Sequence, residues 1–301
     1  MSRTVTVGLD GSSESRAAVE WAAREAQLRR LPLRLVNVWE PVPAPMALAP
    51  LVSTEAQQKW PDRILREAAE GLRLRHPGVE VVGEQLTGRP GEVLSDAAEE
   101  AELLVLGSRG LSGVGGFLVG SVGQAVVART ERPVVLVRAG EAAADEHAMD
   151  PAGITSAATG YRPVVLGLDT GHPHEAVIEF AIDAAMRRAT MLQVVHGFTL
   201  PPYFAYGLPD DPELNALIAA EWASALTEVL RPWRQKFPSL EIVESSRVGK
   251  AADQLVAASH DASLVVVGRQ IRRSAFGAHI GPVTHAVLHH AAAPVAVVPH
   301  D

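Results

Sequence analysis

The chain has 301 residues, of which 47% are hydrophobic and 21% charged, and its formal net charge is −8. This balance is typical of a globular protein with a full core, and the acidic excess disfavours general nucleic-acid binding, which needs a basic face. No apolar run reaches the roughly 18 residues that cross a bilayer, and the polar start does not resemble a secretory signal, so we expect a cytoplasmic protein without membrane partners. The absence of cysteine excludes disulfides, thiolate metal sites and cysteine nucleophiles.

Strand and helix patterns alternate along the first half of the chain. Near-continuous apolar runs predict strands, and apolar residues at helical spacing predict the helices between them. The predicted strands are 5–9, 33–38, 79–86, 103–106 and 134–137, and the predicted helices are 13–30, 54–75, 91–101 and one that ends near 130. Strands that alternate with helices indicate a parallel sheet covered on both faces. The proline-rich segment 41–50 fits neither element.

The second half repeats the first. TVTVGLDGS recurs as PVVLGLDTG, AELLVLGSRG as ASLVVVGRQI, and RPVVLVR as APVAVVP. The shift is 159 residues from Asp10 to Asp169 and 161 residues from Gly107 to Gly268. A period of this length predicts two tandem domains, 1–139 and 162–301. The residues between them, 140–161, are rich in alanine, glycine and polar side chains, and we expect a flexible linker.

The stretch 107–121, GSRGLSGVGGFLVGS, lies between a predicted strand and a predicted helix. Glycines allow a close approach of the backbone to a ligand, and a helix N-terminus presents N–H groups and a positive dipole to an anion. The sequence therefore predicts a ligand that carries phosphate.

With Asp10 after the first strand, the glycine pattern Gly107, Gly110, Gly120-Ser121 after the fourth, and this strand order, the chain resembles the universal stress protein family. Its tandem arrangement is similar to the two-domain members common in actinobacteria. The resemblance implies an α/β fold of two tandem doubly wound, Rossmann-like, five-stranded and mainly parallel sheets of the adenine-nucleotide-binding type. It implies ATP at the carboxyl ends of the strands, with Mg²⁺ bound through the phosphates.

The resemblance also implies ligand positions in the first half. Gly8, Leu9 and Asp10 would lie beside the adenosine, with Asp10 accepting hydrogen bonds from the ribose. The backbone of Val38 would meet the adenine, and segment 41–50 would cover it. The residues expected around the ribose and phosphates are Leu106, Gly107, Arg109, Gly110, Gly120, Ser121, Val122 and Gly123.

The second half departs from this pattern. Ile271 stands where the first half has Gly110, Pro282 stands for Ser121, and Gly197 stands for Val38. Proline has no N–H and no hydroxyl, and a β-branched residue keeps the chain away from a phosphate. We expect ATP binding there to be weak or absent.

A possible weak second site would retain Asp169, Gly268 and Gly281. The positive charges of Arg269, Arg272 and Arg273 in the altered loop leave two interpretations open, a solvated surface or a site for a different anion.

Several other patterns carry no predicted chemistry. His285 and His289 are four apart on a predicted helix, but no third ligand is evident, so we predict no metal site. His172 and His174 are expected at the surface. The aromatic segment 201–206 is either a second lid or a surface for a partner.

The sequence favours a regulatory module over an enzyme. There is no Walker lysine loop, no Gly-x-Ser-x-Gly elbow and no kinase signature, so no catalytic residues are predicted. The first hypothesis is an ATP-binding stress-response module that holds ATP mainly in domain 1 and acts on an unknown protein partner. A slow ATPase or nucleotide hydrolase and a non-nucleotide interaction module remain alternatives. The resemblance further implies an intrachain pseudo-dimer through strands 134–137 and 295–298, and a homodimer is left open.

Overall fold

The computed structural model describes residues 3–40, 54–110, 117–200, 211–271 and 280–301. These residues form two compact units. The first is built on the chain up to Ala143, and the second on residues 144–270 and 281–300. Segment 41–50, the aromatic residues 201–206 and two of the loop arginines, Arg272 and Arg273, lie outside the described ranges, so the predictions for them remain predictions.

The first unit alternates strands and helices as the sequence predicts. Its described elements are β1 (Thr4–Gly8), α1 (Ser13–Arg29), β2 (Leu33–Trp39), α2 (Thr54–Arg75), β3 (Val81–Thr87), α3 (Pro90–Glu99), β4 (Ala101–Gly110), β5 (Phe117–Leu118), α4 (Ser121–Arg129) and β6 (Val134–Arg138). The short strand β5 is not predicted by the sequence pattern. It pairs antiparallel with the end of β4, which extends β4 beyond its predicted bounds.

The sheet of the first unit is doubly wound. Its strand order is β3-β2-β1-β4-β6, and all these pairs are parallel. The chain moves from β1 outward through β2 to β3, and then returns to the other side of β1 with β4. The strand order therefore reverses between β1 and β4. In an open parallel sheet this switch point leaves a crevice at the carboxyl ends of the two strands, which is where ligands bind.

The second unit repeats the arrangement. Its described elements are β7 (Val164–Gly167), α5 (Glu175–Arg187), β8 (Leu192–Phe198), α6 (Pro212–Lys236), β9 (Ile242–Val248), α7 (Ala251–Ala258), β10 (Leu264–Gln270), α8 (Pro282–His290) and β11 (Val295–His300). The strand order β9-β8-β7-β10-β11 is again parallel, with the reversal between β7 and β10. The predicted fold class of two tandem α/β units is confirmed.

The apolar pattern of the strands places the core on both faces of each sheet. Central residues such as Val5, Val105 and Val265 are fully buried. Helix α1 covers one face with small side chains, and Ala18 and Ala22 are also fully buried. None of the helices in the described ranges combines the length and apolar character that crossing a bilayer requires.

The segment expected to be a flexible linker is folded. A short 3₁₀ turn spans Ala143–Glu146, and isolated antiparallel bridges join His147 to Tyr161 and Met149 to Thr155. The rings of His147 and Tyr161 lie 4.1 Å apart, and Glu146 and His147 are buried. The composition of this segment indicates flexibility, and that prediction is wrong. The bridges that order the segment join single residues, so they produce no periodic pattern in the sequence.

Candidate functional site

The first unit has a cavity at its switch point, between the carboxyl ends of β1 and β4. Its volume is about 440 Å³, within the range of small-molecule sites. The lining residues are Gly8, Leu9, Asp10, Ser12, Glu14, Ser15, Val36, Val38, Pro90, Leu94, Leu106, Gly107, Gly120, Ser121 and Val122. Apolar side chains from β2 and α3 form one part of the wall, and hydroxyls, carboxylates and glycine backbone form the rest.

Asp10 is held in a short hydrogen-bonded turn after β1. Its Oδ1 accepts from the Ser12 N–H at 2.9 Å and from the Ser12 hydroxyl at 2.5 Å. Burial alone raises the pKa of Asp10, but these hydrogen bonds outweigh it and keep the pKa below its ordinary value. Asp10 is therefore ionised at neutral pH, and because Ser12 uses one oxygen, the other can accept hydrogen bonds from a ligand.

The Asp10 turn is fixed from two sides. The Ser12 Oγ accepts from the Ser15 N–H at 3.1 Å, which makes Ser12 the N-cap of α1. On the other side, the Asn37 Nδ2 donates to the Leu9 carbonyl at 2.6 Å. These bonds orient the carboxylate before any ligand arrives.

The N-terminus of α4 differs from that of α1. Gly120 is the N-cap and supplies no side-chain hydrogen bond to the helix. The first N–H groups of a helix have no partner within the helix, and here they belong to Ser121, Val122 and Gly123. Ser121 and Val122 line the cavity. The helix therefore offers uncapped donors and its positive dipole end to an anion.

Two glycines of the predicted phosphate loop have different physical roles. A Cβ at Gly107 would lie 2.5 Å from the Glu14 carbonyl carbon and 2.8 Å from the Ser15 backbone nitrogen. Gly107 thus allows α1 to pack on β4. Among the described residues, a Cβ at Gly120 would meet no atom within 4 Å, and its φ of −61° suits any residue. The space beside Gly120 is open to a ligand.

The structure brings most of the predicted first-site residues to this one cavity. Gly8, Leu9, Asp10, Val38, Leu106, Gly107, Gly120, Ser121 and Val122 all line it. Gly123 is buried, and a Cβ there would face Val119 and Leu136. Arg109 and Gly110 pair with Leu118 and Phe117 of β5, and the side chain of Arg109 lies outside the described part of the structure.

Six of the lining residues are missing from the predicted site. Ser12 precedes α1, and Val36 belongs to β2. Glu14 and Ser15 belong to the first turn of α1, and Pro90 and Leu94 belong to α3. The available signal was positional, because a helix that follows a parallel strand begins at the same edge of the sheet where that strand ends.

The second unit has its cavity at the equivalent place, between β7 and β10. Its volume is about 640 Å³. The lining residues are Gly167, Leu168, Asp169, His172, His174, Val177, Val195, His196, Gly197, Ala251, Leu255, Val267, Gly268, Gln270, Val283, Thr284 and His300. Four histidines in one cavity distinguish it from the first, whose described lining contains none.

Asp169 repeats the strand-end carboxylate but is held differently. Its Oδ1 accepts from the Gly171 N–H at 2.9 Å, and its Oδ2 lies 3.4 Å from the His172 Nδ1. The loop then runs on to His174, which is the N-cap of α5 and gives that helix no side-chain cap. The Ser12 cap of the first unit has no counterpart here.

The retained glycine Gly268 also has different neighbours. A Cβ there would lie 2.9 Å from ring atoms of His300, not against helix backbone as at Gly107. The His300 ring stacks on His174, with centroids 3.5 Å apart and planes inclined by 22°. The prediction that His174 is a surface residue is wrong, because it is half-buried in this cavity. His172, by contrast, is exposed.

Asp169 and Gly268 of the possible second site line the cavity, and Gly281 is the N-cap of α8, which begins at Pro282. Arg269 is buried and is not among the residues that line the cavity. Of the three loop arginines, the one that the structure describes therefore does not support an anion site.

No group of three metal-ligating side chains is placed to hold an ion within the described residues. The rings of His285 and His289 are 4.3 Å apart on α8, and burial, followed by the nearby His289 and His290, lowers the pKa of His285. This pair alone does not make a metal centre.

Comparison with known proteins agrees with this architecture. The model of the universal stress protein family matches residues 1–138 and 160–299. A universal stress protein of Mycobacterium tuberculosis is 30% identical over 302 residues, covering 97% of this chain and 96% of that protein. The crystal structure of a universal stress protein from Archaeoglobus fulgidus covers 99% of this chain and 98% of its own, with 16% identity and a TM-score of 0.69.

A shorter universal stress protein from Archaeoglobus fulgidus, solved in complex with dAMP, is 23% identical, with a TM-score of 0.35, and covers 44% of this chain and 96% of its own. The two segments that the family model matches, 1–138 and 160–299, together span most of the sequence. The mycobacterial relative aligns with nearly all of it. The chain therefore belongs to the universal stress protein family.

Proposed function

We propose that the protein is an ATP-binding regulatory module of the stress response, and that the first cavity holds the ATP. The observation that supports this proposal is that Asp10 and the uncapped N-terminus of α4 line the same cavity. Asp10 is a fixed, ionised acceptor for ribose hydroxyls, and the α4 N–H groups are donors for phosphate oxygens. The apolar wall between them, which includes Val38 and Leu94, suits a purine ring.

The charge of the first cavity favours a metal-complexed nucleotide. Asp10 and Glu14 are the charged side chains among its described lining residues, and both are acidic. A triphosphate alone would be repelled by them, whereas Mg²⁺ bound to the phosphates offsets that repulsion. We propose that ATP is held for regulation and not turned over, because the described wall contains no lysine, arginine or histidine to serve in phosphoryl transfer.

The second cavity is less suited to a triphosphate. Pro282 removes one N–H from the start of α8 and supplies no hydroxyl. The His300 ring also occupies the space beside Gly268. We propose that these two changes confine ATP to the first unit.

A matched pair of variants tests the assignment. Gly120 and Gly281 are both N-caps with near-identical backbone angles, and no atom of the described ranges lies within 4 Å of an added Cβ, so we expect the fold to tolerate valine at either position. Isothermal titration with MgATP near pH 8 should show that Gly120→Val loses at least about tenfold in affinity, since each charge-assisted hydrogen bond displaced contributes roughly 1.5–3 kcal/mol. Gly281→Val should bind as the wild type does.

Equal affinities in the wild type and in both variants would show that ATP binds elsewhere. A loss in Gly281→Val alone would assign ATP to the second unit. Thermal unfolding of both variants checks that the valine has not disturbed either sheet.

A further inference from the structure

The first unit has another cavity between helices α1 and α2, which we call the α1–α2 groove. Residues of both helices and of the turn after β1 line it, and its volume is about 460 Å³, within the range of small-molecule sites. Leu9 lines both this groove and the first cavity, and Gly11 of the same turn lines the groove. The groove is therefore a neighbour of the proposed ATP site but has a wall of its own.

Five charged side chains line the α1–α2 groove, and four of them pair with one another. The Arg63 Nε lies 2.6 Å from the Glu67 Oε1 on α2, and the Arg75 Nε donates to the Glu20 Oε1 at 3.0 Å from α2 to α1. Burial alone raises the pKa of Glu20, but hydrogen bonds from Arg75 and His76 keep the pKa below its ordinary value. Each of the two carboxylates thus already has a cationic partner.

The fifth charged side chain, Arg16, bonds to the backbone instead. Its Nη2 donates to the Gly11 carbonyl at 2.9 Å, and among the described residues it has no carboxylate partner. A guanidinium has five N–H donors in a planar fork that matches a carboxylate. Three arginines and two glutamates give the described lining one net positive charge, on a chain whose formal net charge is −8. Arg16 therefore offers donors and charge to one anion.

The uncharged part of the described groove is aliphatic. Leu9 and Val19 are buried, and Ile64 and Ala68 are half-buried. Gly11 has a φ of +86°, and a Cβ there would lie 2.9 Å from the Ile64 Cδ1, so glycine lets α2 lie close to the turn. An anion in the groove therefore has aliphatic side chains beside it, which suit an apolar stem.

The helices of the second unit can be compared with α1 and α2 residue by residue. The shift of 159 residues that relates the two strand-end aspartates also relates Arg30 to Ala189, which follow α1 and α5. Both residues have a positive φ, 55° and 49°. The two helices are therefore in register at this shift.

The second unit keeps the ion pair between the helices but reverses the charge at the position of Arg16. The shift relates Glu20 to Glu179, whose Oε1 lies 3.0 Å from the Lys236 Nζ of α6. The same shift relates Arg16 to Glu175. The ion pair is thus a common feature of the fold, whereas the additional cation belongs to the first unit and is not needed to build the helix pair.

We propose that the α1–α2 groove binds a small aliphatic monocarboxylate, with the carboxylate on Arg16 and the stem on the aliphatic part of the groove. A single net positive charge suits a monoanion, because a more highly charged anion would be repelled by Glu20 and Glu67. This site goes beyond the proposed function and does not depend on ATP in the first cavity.

NMR titration of the nucleotide-free chain with hexanoate near pH 7.5, at constant ionic strength, tests the site. The Gly11 amide should shift along a saturating curve. Arg16→Gln removes the charge and should weaken hexanoate about fivefold, the ratio that corresponds to the upper contribution of an exposed ion pair. Arg66→Gln is the matched control, because this exposed arginine of α2 does not line the groove, and it should bind hexanoate as the wild type does.

Two further probes separate the charge from the stem. 1-Hexanol has the stem without the charge, and acetate has the charge almost without the stem, so each should bind at least about fivefold more weakly than hexanoate. No saturating shift at Gly11 with hexanoate, equal hexanoate affinity in Arg16→Gln and the wild type, or equal binding of 1-hexanol would overturn the proposal. MgATP is absent from these titrations, so their outcome is independent of the ATP assignment.

Discussion

The two cavities occupy the same place in two copies of one fold, yet different neighbours surround their shared residues. Gly107 and Gly268 both lie in the carboxyl-terminal half of the fourth main strand of their units, β4 and β10, but Gly107 lies against the α1 backbone and Gly268 lies against the His300 ring. The shared glycine is therefore not a marker of phosphate binding. In the first unit it is required by helix packing, and in the second it makes room for an imidazole.

The residues that do distinguish the cavities lie around the helix starts. The first unit caps α1 with Ser12 and leaves α4 uncapped next to Ser121. The second leaves α5 uncapped at His174 and begins α8 with Pro282. The two units thus share one sheet topology, but the helix N-termini that offer uncapped N–H donors differ between them. Six substitutions, three in each unit, test this difference.

The largest expected effect is on stability at the shared glycine. Gly107→Ala places a methyl group against backbone atoms that cannot rotate away, so the first unit should lose about 1–3 kcal/mol of unfolding free energy or more. Gly268→Ala meets the end of a side chain, which can move, and should cost less. Thermal unfolding of both variants measures the difference. Equal losses would show that Gly107 is not a packing requirement.

The next effect concerns the start of α4. Ser121→Pro removes one N–H and the hydroxyl but suits the first position of a helix, so the fold should persist. MgATP affinity should fall by the equivalent of about 1.5–3 kcal/mol, or roughly tenfold to hundredfold. The reverse change, Pro282→Ser, should leave MgATP stoichiometry unaltered because the His300 ring still occupies the space beside Gly268. A calorimetric titration checks both, and unchanged affinity in Ser121→Pro would remove α4 from the site.

A smaller loss is expected at the helix cap. Ser12→Ala removes the N-cap of α1 and both hydrogen bonds that its hydroxyl makes, so the unfolding free energy should fall by about 1 kcal/mol. The Asp10 carboxylate loses one of its two Ser12 donors, and its pKa should rise toward the ordinary value. Chemical denaturation gives the first quantity and NMR titration of Asp10 the second. A carboxylate pKa that does not move would contradict the described turn.

The smallest effect is the pH dependence of the second unit. Because the pKa of His196 is lowered in the folded state, the unfolded chain binds a proton first as the pH falls through about 6.5. The folded unit therefore loses stability below that pH, by at most about 1.4 kcal/mol per pH unit for one proton, and shows no His196 contribution at higher pH.

His196→Asn, which copies Asn37 of the first unit, should remove this slope. Unfolding free energies measured across the range from about pH 5 to 8 give the comparison. A slope of the same size in the variant would assign the proton to another group.

Much of the fold and of the first cavity could be predicted because the signals are local. The apolar strands, Asp10 at a strand end and Gly120-Ser121 at a helix start are all visible within a few residues of sequence. Segment 140–161 and strand β5 were not predictable in this way, since each depends on pairings of only two residues.

The histidine cluster required the tertiary structure. His300 reaches the cavity because β11 pairs in parallel with β10, which sets His300 opposite Gln270. His196 and His174 come from two further segments, and no spacing in the sequence connects the three. The physical roles of Gly107 and Gly268 could not be predicted for the same reason, because their neighbours in space, on α1 and at His300, are distant in the sequence.

Native mass spectrometry with added MgATP near pH 8 shows whether the first cavity holds ATP and the second does not. We expect a single bound nucleotide on the wild type and on Gly281→Val, and a much smaller bound fraction on Gly120→Val at the same MgATP concentration. Two nucleotides on the wild type, or an undiminished bound fraction on Gly120→Val, would contradict this assignment.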